Sequence, residues 1–322
     1  MLSAILPARN EPYLQKTIDS LLISAEGELE VIVILDGYWP EPPLKDDKRV
    51  IIIHRSEAKG MQNGVNSAVQ IAKGKYIMKC DAHCLFAKGF DTILKKDCEE
   101  NWLAVPPRYS LDVEKWLPKT EKRLPVCYDF ITFPYGNDDI YGSGIHGRKW
   151  TGNNMGFNSY YEKEIARKDI LIDDVISIQG SCWFMHKQHF LNIDGQDEVH
   201  SSFYQEPQEM VFKTWLSGGR CVVNKNTWYA HWHKNKGSQY GFSINQKKDT
   251  EKFSSWCWMT NQWPKRIRDI KWLIDKFMPM PGWSNNWEEE IIQYYKDHIE
   301  LVANFRIFDK DGKDGFKLNG CN

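Results

Sequence analysis

The eight cysteines show no CxxC pair and no regular spacing. This speaks against a zinc knuckle or a disulfide scaffold. No apolar run reaches 18 residues, so no segment reads as a membrane span. The opening "MLSAILPARNEP" has too short an apolar stretch for a signal peptide and no basic lead. Overall charge bias is also lacking, since the formal net charge is -1. These absences leave a soluble, cytoplasmic protein as the expectation. The 322 residues are 42% hydrophobic and 26% charged, enough for one large core or a core with a substantial appendage.

The first hundred residues alternate between strand and helix patterns. "LSAILP" (2–7), "EVIVILDG" (30–37), "RVIIIHR" (49–55) and "KYIMKCD" (75–81) read as strands. "EPYLQKTIDSLLIS" and "GMQNGVNSAVQIAKG" carry apolar residues at helical spacing between them. The order implies an α/β protein with a mainly parallel central sheet flanked by helices. Sites in such sheets form at the carboxyl ends of strands. Here those ends read "PARNE", "LDG", "HRSE" and "CDAHC".

"YIMKCDAHCLF" (76–86) is the most informative of them. Asp81 could simply cap the following segment, and His83 alone could be a surface imidazole. In an extended turn, however, residues i and i+2 point to the same side, so the pair can share one divalent cation. Mixed oxygen and nitrogen ligation suits manganese or a similar ion better than calcium.

At this point the chain resembles the nucleotide-sugar glycosyltransferases of the GT-A fold. "SAILPARNEPYLQKTIDSLL" is similar to their opening strand and helix, and "VIVILDG" to their second strand. "GMQNGVNSAVQIAKGKYIMKCDAH" resembles the approach to their metal-binding Asp-x-Asp or Asp-x-His. Family 2 members usually carry the first form, and the polypeptide N-acetylgalactosaminyltransferases the second, which is the form here. "FYQEPQEMVFKTWLSGGRCVVNKNTWYAHWHK" (203–234) resembles the later half of the same domain, and "SIQGSCWFMHKQHF" (177–190) its small-residue turn and strand.

The resemblance implies a sugar donor linked to a nucleotide diphosphate, most plainly a UDP-sugar. It implies a divalent metal, Mn2+ first and Mg2+ as the alternative, held by Asp81, His83 and His231, with His233 the competing third ligand. Asp36 would bind the base or ribose. Pro7, Ala8, Arg9 and Glu11 would line the nucleotide pocket, Arg9 near the phosphates. One departure stands out: inverting family 2 enzymes usually place Glu-Asp where this chain has Glu206-Pro207, and proline cannot take a proton. The catalytic role would fall to Glu206 or Glu209, and the vacancy slightly favours retention of anomeric configuration.

Periodicity breaks down over 107–175, and "FPYGNDDIYGSGIHGRKWTGNNMGFNSYY" (133–161) reads as a loop. Its Arg148, Lys149 and Trp150 could close over the donor phosphates, or merely pack on the surface. The expected organisation is a transferase domain over 1–235 and a basic, Trp-rich helical extension over 236–322. From Lys213 to Lys276 there are 13 Lys plus Arg against 4 Asp plus Glu, with seven tryptophans interleaved. Such a mixture can follow a phosphate backbone and stack on bases. A polyanionic acceptor, in particular a hydroxymethylated base in DNA as in phage DNA modification, is therefore one expectation. A glycan or protein hydroxyl is the other. "PKRIRDIKWLIDKFM" (264–278) reads as a basic amphipathic helix that could also meet a membrane surface, and "WEEEIIQYYKDHIELVANF" (287–305) as a closing helix.

Two readings of other classes compete. The missing Glu-Asp would permit a non-catalytic nucleotide-sugar binding module, although a degenerate module has no reason to keep three metal-ligand candidates. A nucleotidyltransferase would open on a Gly-rich phosphate loop, which "PARNEPYLQ" is not.

Overall fold

The six elements read from the first eighty residues form as expected and build the parallel half of the main sheet. The computed structural model describes residues 1–121, 124–135, 144–150, 160–198, 205–234 and 248–298. The chain begins with β1 (Leu2–Ala8), α1 (Leu14–Ser24), β2 (Leu29–Asp36), β3 (Val50–Arg55), α2 (Met61–Ile71) and β4 (Tyr76–Cys80). It continues through β5 (Cys84–Phe86), α3 (Phe90–Asp97), β6 (Trp102–Val105), β7 (Arg108–Asp112), β8 (Leu117–Pro118), β9 (Asp129–Ile131) and β10 (Gly147–Lys149). Then follow α4 (Tyr160–Ala166), β11 (Ile172–Asp174), β12 (Cys182–His186), α5 (Lys187–Asn192), α6 (Glu206–Leu216), β13 (Arg220–Asn224) and β14 (Tyr229–His231). The last elements are α7 (Lys248–Met259), α8 (Ile270–Phe277) and α9 (Trp287–Asp297).

The main sheet runs β11-β13-β6-β12-β4-β1-β2-β3. β1 pairs in parallel with β2 and β4, and β2 with β3, whereas β12 lies antiparallel between β4 and β6. Both faces of β1 and β2 are buried, which is why these strands read as continuous apolar runs. Ile5, Ile32 and Ile34 face one core with α2 and α6, while Ala4, Leu6, Val31 and Val33 face the other with α1 and α3. β3, with the same β-branched composition, is the sheet's edge and only half-buried. A second sheet, β5-β14-β7-β8, stands beyond the carboxyl end of β4, and β9 and β10 form a separate hairpin.

The C-terminal part differs from the sequence reading in three respects. First, the helix expected over 264–278 is only α8. Asp269 stands at its start in extended backbone, and Asn261 Oδ1 accepts from the Ile270 amide at 2.7 Å. Lys265, Arg266 and Arg268 thus belong to the preceding turn. Second, these basic residues have partners within the chain. Lys265 pairs with Asp194, Arg266 with Asp269, and Arg268 donates to the Trp215 and Gly219 carbonyls. Lys271 bridges Asp275 and Glu288, and Lys276 reaches Asp174. Third, Trp215, Trp258 and Trp263 are buried in the same core as α2 and α6, so they form no stacking platform. α8 and α9 join that core through Leu273, Ile274, Trp287 and Ile291. The part of 287–305 beyond residue 298 lies outside the described residues, as does much of the 133–161 loop.

Candidate active site

The site grows from the end of β4. The chain leaves that strand at Cys80, and Asp81 and His83 sit in the turn before β5. β5 then pairs antiparallel with β14, so that His231 lies opposite Cys84, the residue after His83. The Trp232 amide extends the ladder by donating to the His83 carbonyl at 3.2 Å. This one register brings His231 across 150 residues of sequence to the Asp-x-His turn. The ligand atoms of Asp81, His83 and His231 all lie within 4.8 Å of one another. His231 Nε2 stands 3.2 Å, and His83 Nε2 3.9 Å, from Asp81 Oδ2. His233 is not part of this cluster; its ring meets that of His231 edge-on at 4.8 Å.

Protonation states suit a cation. Burial alone would raise the Asp81 carboxyl, but Lys79, then His231 and His83, hold it well below the usual range. Burial, with the His83 and Arg108 charges, lowers the His231 imidazole to about 4, so it is neutral at physiological pH. One carboxylate oxygen and two imidazole nitrogens fit a borderline first-row dication. The rest of the cluster is already oriented. Lys79, fully buried, donates to Asp81 Oδ1 at 2.8 Å and to the Gly180 carbonyl, leaving Oδ2 to face the imidazoles.

Glu11, expected to line the nucleotide pocket, lies directly against the cluster. Its Oε2 lies 2.9 Å from His83 Nδ1, and its Oε1 accepts from Lys234. Burial opposes the charge, but His83 and Lys234 hold the Glu11 carboxyl below its ordinary value. A carboxylate accepting Nδ1–H fixes the tautomer that leaves the Nε2 lone pair toward Asp81. Glu11→Gln is expected to weaken metal affinity about 10–100-fold while keeping the fold. Metal titration monitored by calorimetry, beside a melting curve, checks it; unchanged affinity would remove Glu11 from this role.

Glu206 and Glu209 open α6 and are both buried, but they face different partners. Glu206 Oε1 accepts from Trp183 Nε1 and Gln196 Nε2, each at 2.7 Å. Its Oε2 faces the Gly180 turn, where an added Cβ would come within 2.5 Å. Burial raises the Glu206 pKa to about 7 despite the opposing charge of Lys79. Glu209 instead pairs with Lys213 at 2.7 Å and accepts the Asp197 amide at 2.6 Å, so its carboxylate is held by α6 and the loop before it.

Asp36 is also occupied. Its two oxygens accept the Lys59 and Gly60 amides at 2.9 Å each, and Arg55 stands at 3.4 Å. It ties the end of β2 to the start of α2, and a ribose or base would have to share it. Pro7 and Ala8 end β1, and Arg9 lies half-buried at the turn after it. Of the loop residues, Trp150 is buried against Phe130, while Lys149 is near enough for its charge to act on His233. Sequence reasoning missed Lys79, Lys234 and Arg108. The signal for Lys79 was present as a lone lysine inside an apolar strand; the other two depend on the second sheet.

A sheet ending in such a cluster defines a class. The family described as "Glycosyl transferase family 2" matches residues 3–193, and the chain belongs to it. It is 24% identical over 237 residues to polypeptide N-acetylgalactosaminyltransferase 5 of Caenorhabditis elegans, covering 69% of this chain and 35% of that protein. It is 29% identical over 112 residues to the uncharacterized glycosyltransferase EpsJ of Bacillus subtilis, covering 33% of this chain and 32% of that one. The chain thus spans about a third of the length of these relatives. The fold is that of GT-A glycosyltransferases. A crystal structure of GalNAc-T7 with UDP, GalNAc and Mn2+ superposes with a TM-score of 0.59 at 15% identity, covering 93% of this chain and 55% of that one. No helix among the described residues is long and apolar enough to cross a membrane.

Proposed function

We propose that this protein transfers a sugar from a UDP-sugar to a hydroxyl acceptor, with a divalent cation, Mn2+ before Mg2+, held by Asp81, His83 and His231. The observation that carries this reading is the convergence of those ligand atoms within 4.8 Å at a strand end, in a family 2 chain. The GalNAc-T7 structure with UDP, GalNAc and Mn2+ supports the choice of donor and metal. A bound cation supplies counter-charge for the departing diphosphate. The chain's own residues do the rest. Glu11 holds the His83 tautomer, Lys79 orients Asp81, and Trp39, 69% exposed and stacked on His54 at 3.9 Å, offers a flat face for the base at the ends of β2 and β3. Glu206 is the acceptor-side carboxylate, since a pKa of about 7 suits a group that takes a proton near neutral pH.

The described part of the basic segment does not favour DNA as the acceptor. Lys265, Arg266, Lys271 and Lys276 are paired with carboxylates within the chain, and three of its seven tryptophans, Trp215, Trp258 and Trp263, are buried in the core. A hydroxyl on a glycan or protein is the better reading. A panel of nucleotide sugars, each incubated with the protein and Mn2+ or with chelator, tests the activity. Metal-dependent release of UDP from one of them is expected. No release from any donor, with the protein folded, would leave the binding-module reading in its place.

A further inference from the structure

Arg108, on β7, is only 4% exposed, yet its buried Nη1 has no hydrogen-bond partner. Among the described residues it forms no ion pair with a carboxylate. A guanidinium stays charged in proteins, and burying that charge uncompensated is unfavourable. Such an arrangement persists where a ligand supplies the missing anion.

Its position says which anion. β7 runs parallel to β14, with Arg108 opposite Tyr229 and Ser110 opposite His231. Residues two apart on a strand share a face, so Arg108 and His231 lie on the same side of the second sheet. Its charge is felt by both neighbouring imidazoles: after burial, it is among the causes that disfavour protonation of His231 and of His233. Lys149 adds to the same field at His233. The other cations at the cluster already have carboxylate partners, Lys79 in Asp81 and Lys234 in Glu11. Asp81 also offsets part of any dication's charge, so a departing diphosphate would need a further cation here.

We propose that Arg108 binds a phosphate oxygen of the nucleotide diphosphate beside the Asp81–His83–His231 cluster, an inference that rests on the nucleotide-sugar reading above. It uses a planar fork suited to an oxyanion, on a strand that composition alone does not connect with the site.

The test uses the full chain carrying Arg108→Met or Arg108→Lys. Binding of UDP, UMP, uridine and inorganic pyrophosphate is measured by calorimetry in saturating Mn2+, and melting is measured without ligand. Arg108→Met is expected to weaken UDP and pyrophosphate about 10–100-fold, the range for a charge-assisted hydrogen bond. Uridine, which has no phosphate, should change much less, and the UMP affinity tells whether the α- or the β-phosphate is the one held. The ligand-free variant should melt no lower than the wild type, because an uncompensated buried charge has been removed. Arg108→Lys should fall between the two. Unchanged UDP affinity overturns the inference, and so does an equal loss for all four ligands with a lowered melting temperature, which marks a purely structural role. A raised acceptor KM with intact UDP binding overturns it in favour of an anionic acceptor group. If Arg108→Met fails to fold, the Arg108→Lys pyrophosphate affinity decides. A wild type that binds neither UDP nor pyrophosphate sinks the nucleotide-sugar reading itself, whereas equal binding by wild type and variant sinks only the role of Arg108.

Discussion

Asp81→Asn and His83→Ala are each expected to lower metal-dependent turnover by more than about 10²-fold, since losing even an outer-shell partner of a metal costs 10–100-fold. Asparagine is preferred to alanine at position 81 because Lys79 is fully buried and donates to Asp81 Oδ1 at 2.8 Å. Alanine would leave that ammonium without its counter-ion, a loss on the order of 3–5 kcal/mol that could unfold the chain and mimic an active-site effect. The amide oxygen of asparagine keeps an acceptor for Lys79 while weakening cation ligation. His83 has no such burden, because Glu11 retains Lys234 when the imidazole is gone. Turnover is compared at limiting Mn2+ after chelator treatment, with melting curves to verify folding. Near-normal turnover by either folded variant contradicts the metal assignment.

Glu206→Gln is expected to cost about 10²–10⁴-fold in rate with little change in donor binding, if the carboxylate takes the acceptor proton. The product should then have inverted configuration. A loss confined to acceptor affinity, with a retained product, would make Glu206 an orienting group, and an NMR assignment of the anomeric centre separates the two. Stability should move the opposite way. A carboxyl with a pKa of about 7 when folded, against its ordinary value of 4.5, binds its proton more tightly in the native state. Its contribution is therefore fully present below about pH 4 and is lost as pH rises through 7, on the order of 3 kcal/mol in all. Glutamine resembles the protonated form, so Glu206→Gln should be less active yet more stable than the wild type at pH 8, with a flatter pH profile. A variant less stable than the wild type at pH 8 would contradict the buried, proton-holding state of Glu206.

The parallel half of the fold was legible because β1 and β2 are buried on both faces, which leaves an uninterrupted apolar signature. Asp81 and His83 were legible because they are two residues apart at a strand end. His231 was reached only through resemblance, since its position depends on the β5–β14 register, a tertiary fact. Glu209 was given a catalytic part although Lys213 stands four residues on, and on a helix that spacing makes an ion pair. The Trp-rich segment was misjudged for a different reason. Composition reports how many tryptophans there are but not which side of a helix meets the core, and Trp215, Trp258 and Trp263 turned out to be core residues. Pro264 and Asp269 carried the signal that α8 starts late, and the basic run obscured it.

The most direct measurement is a titration of Mn2+ into the full chain with UDP present, read from the electron paramagnetic resonance of free Mn2+. The account predicts uptake of one ion per chain, lost in His231→Ala and kept in His233→Ala, because His231 Nε2 lies 3.2 Å from Asp81 Oδ2 and His233 stands outside the cluster. Undiminished uptake by His231→Ala, or loss of uptake only in His233→Ala, would contradict it.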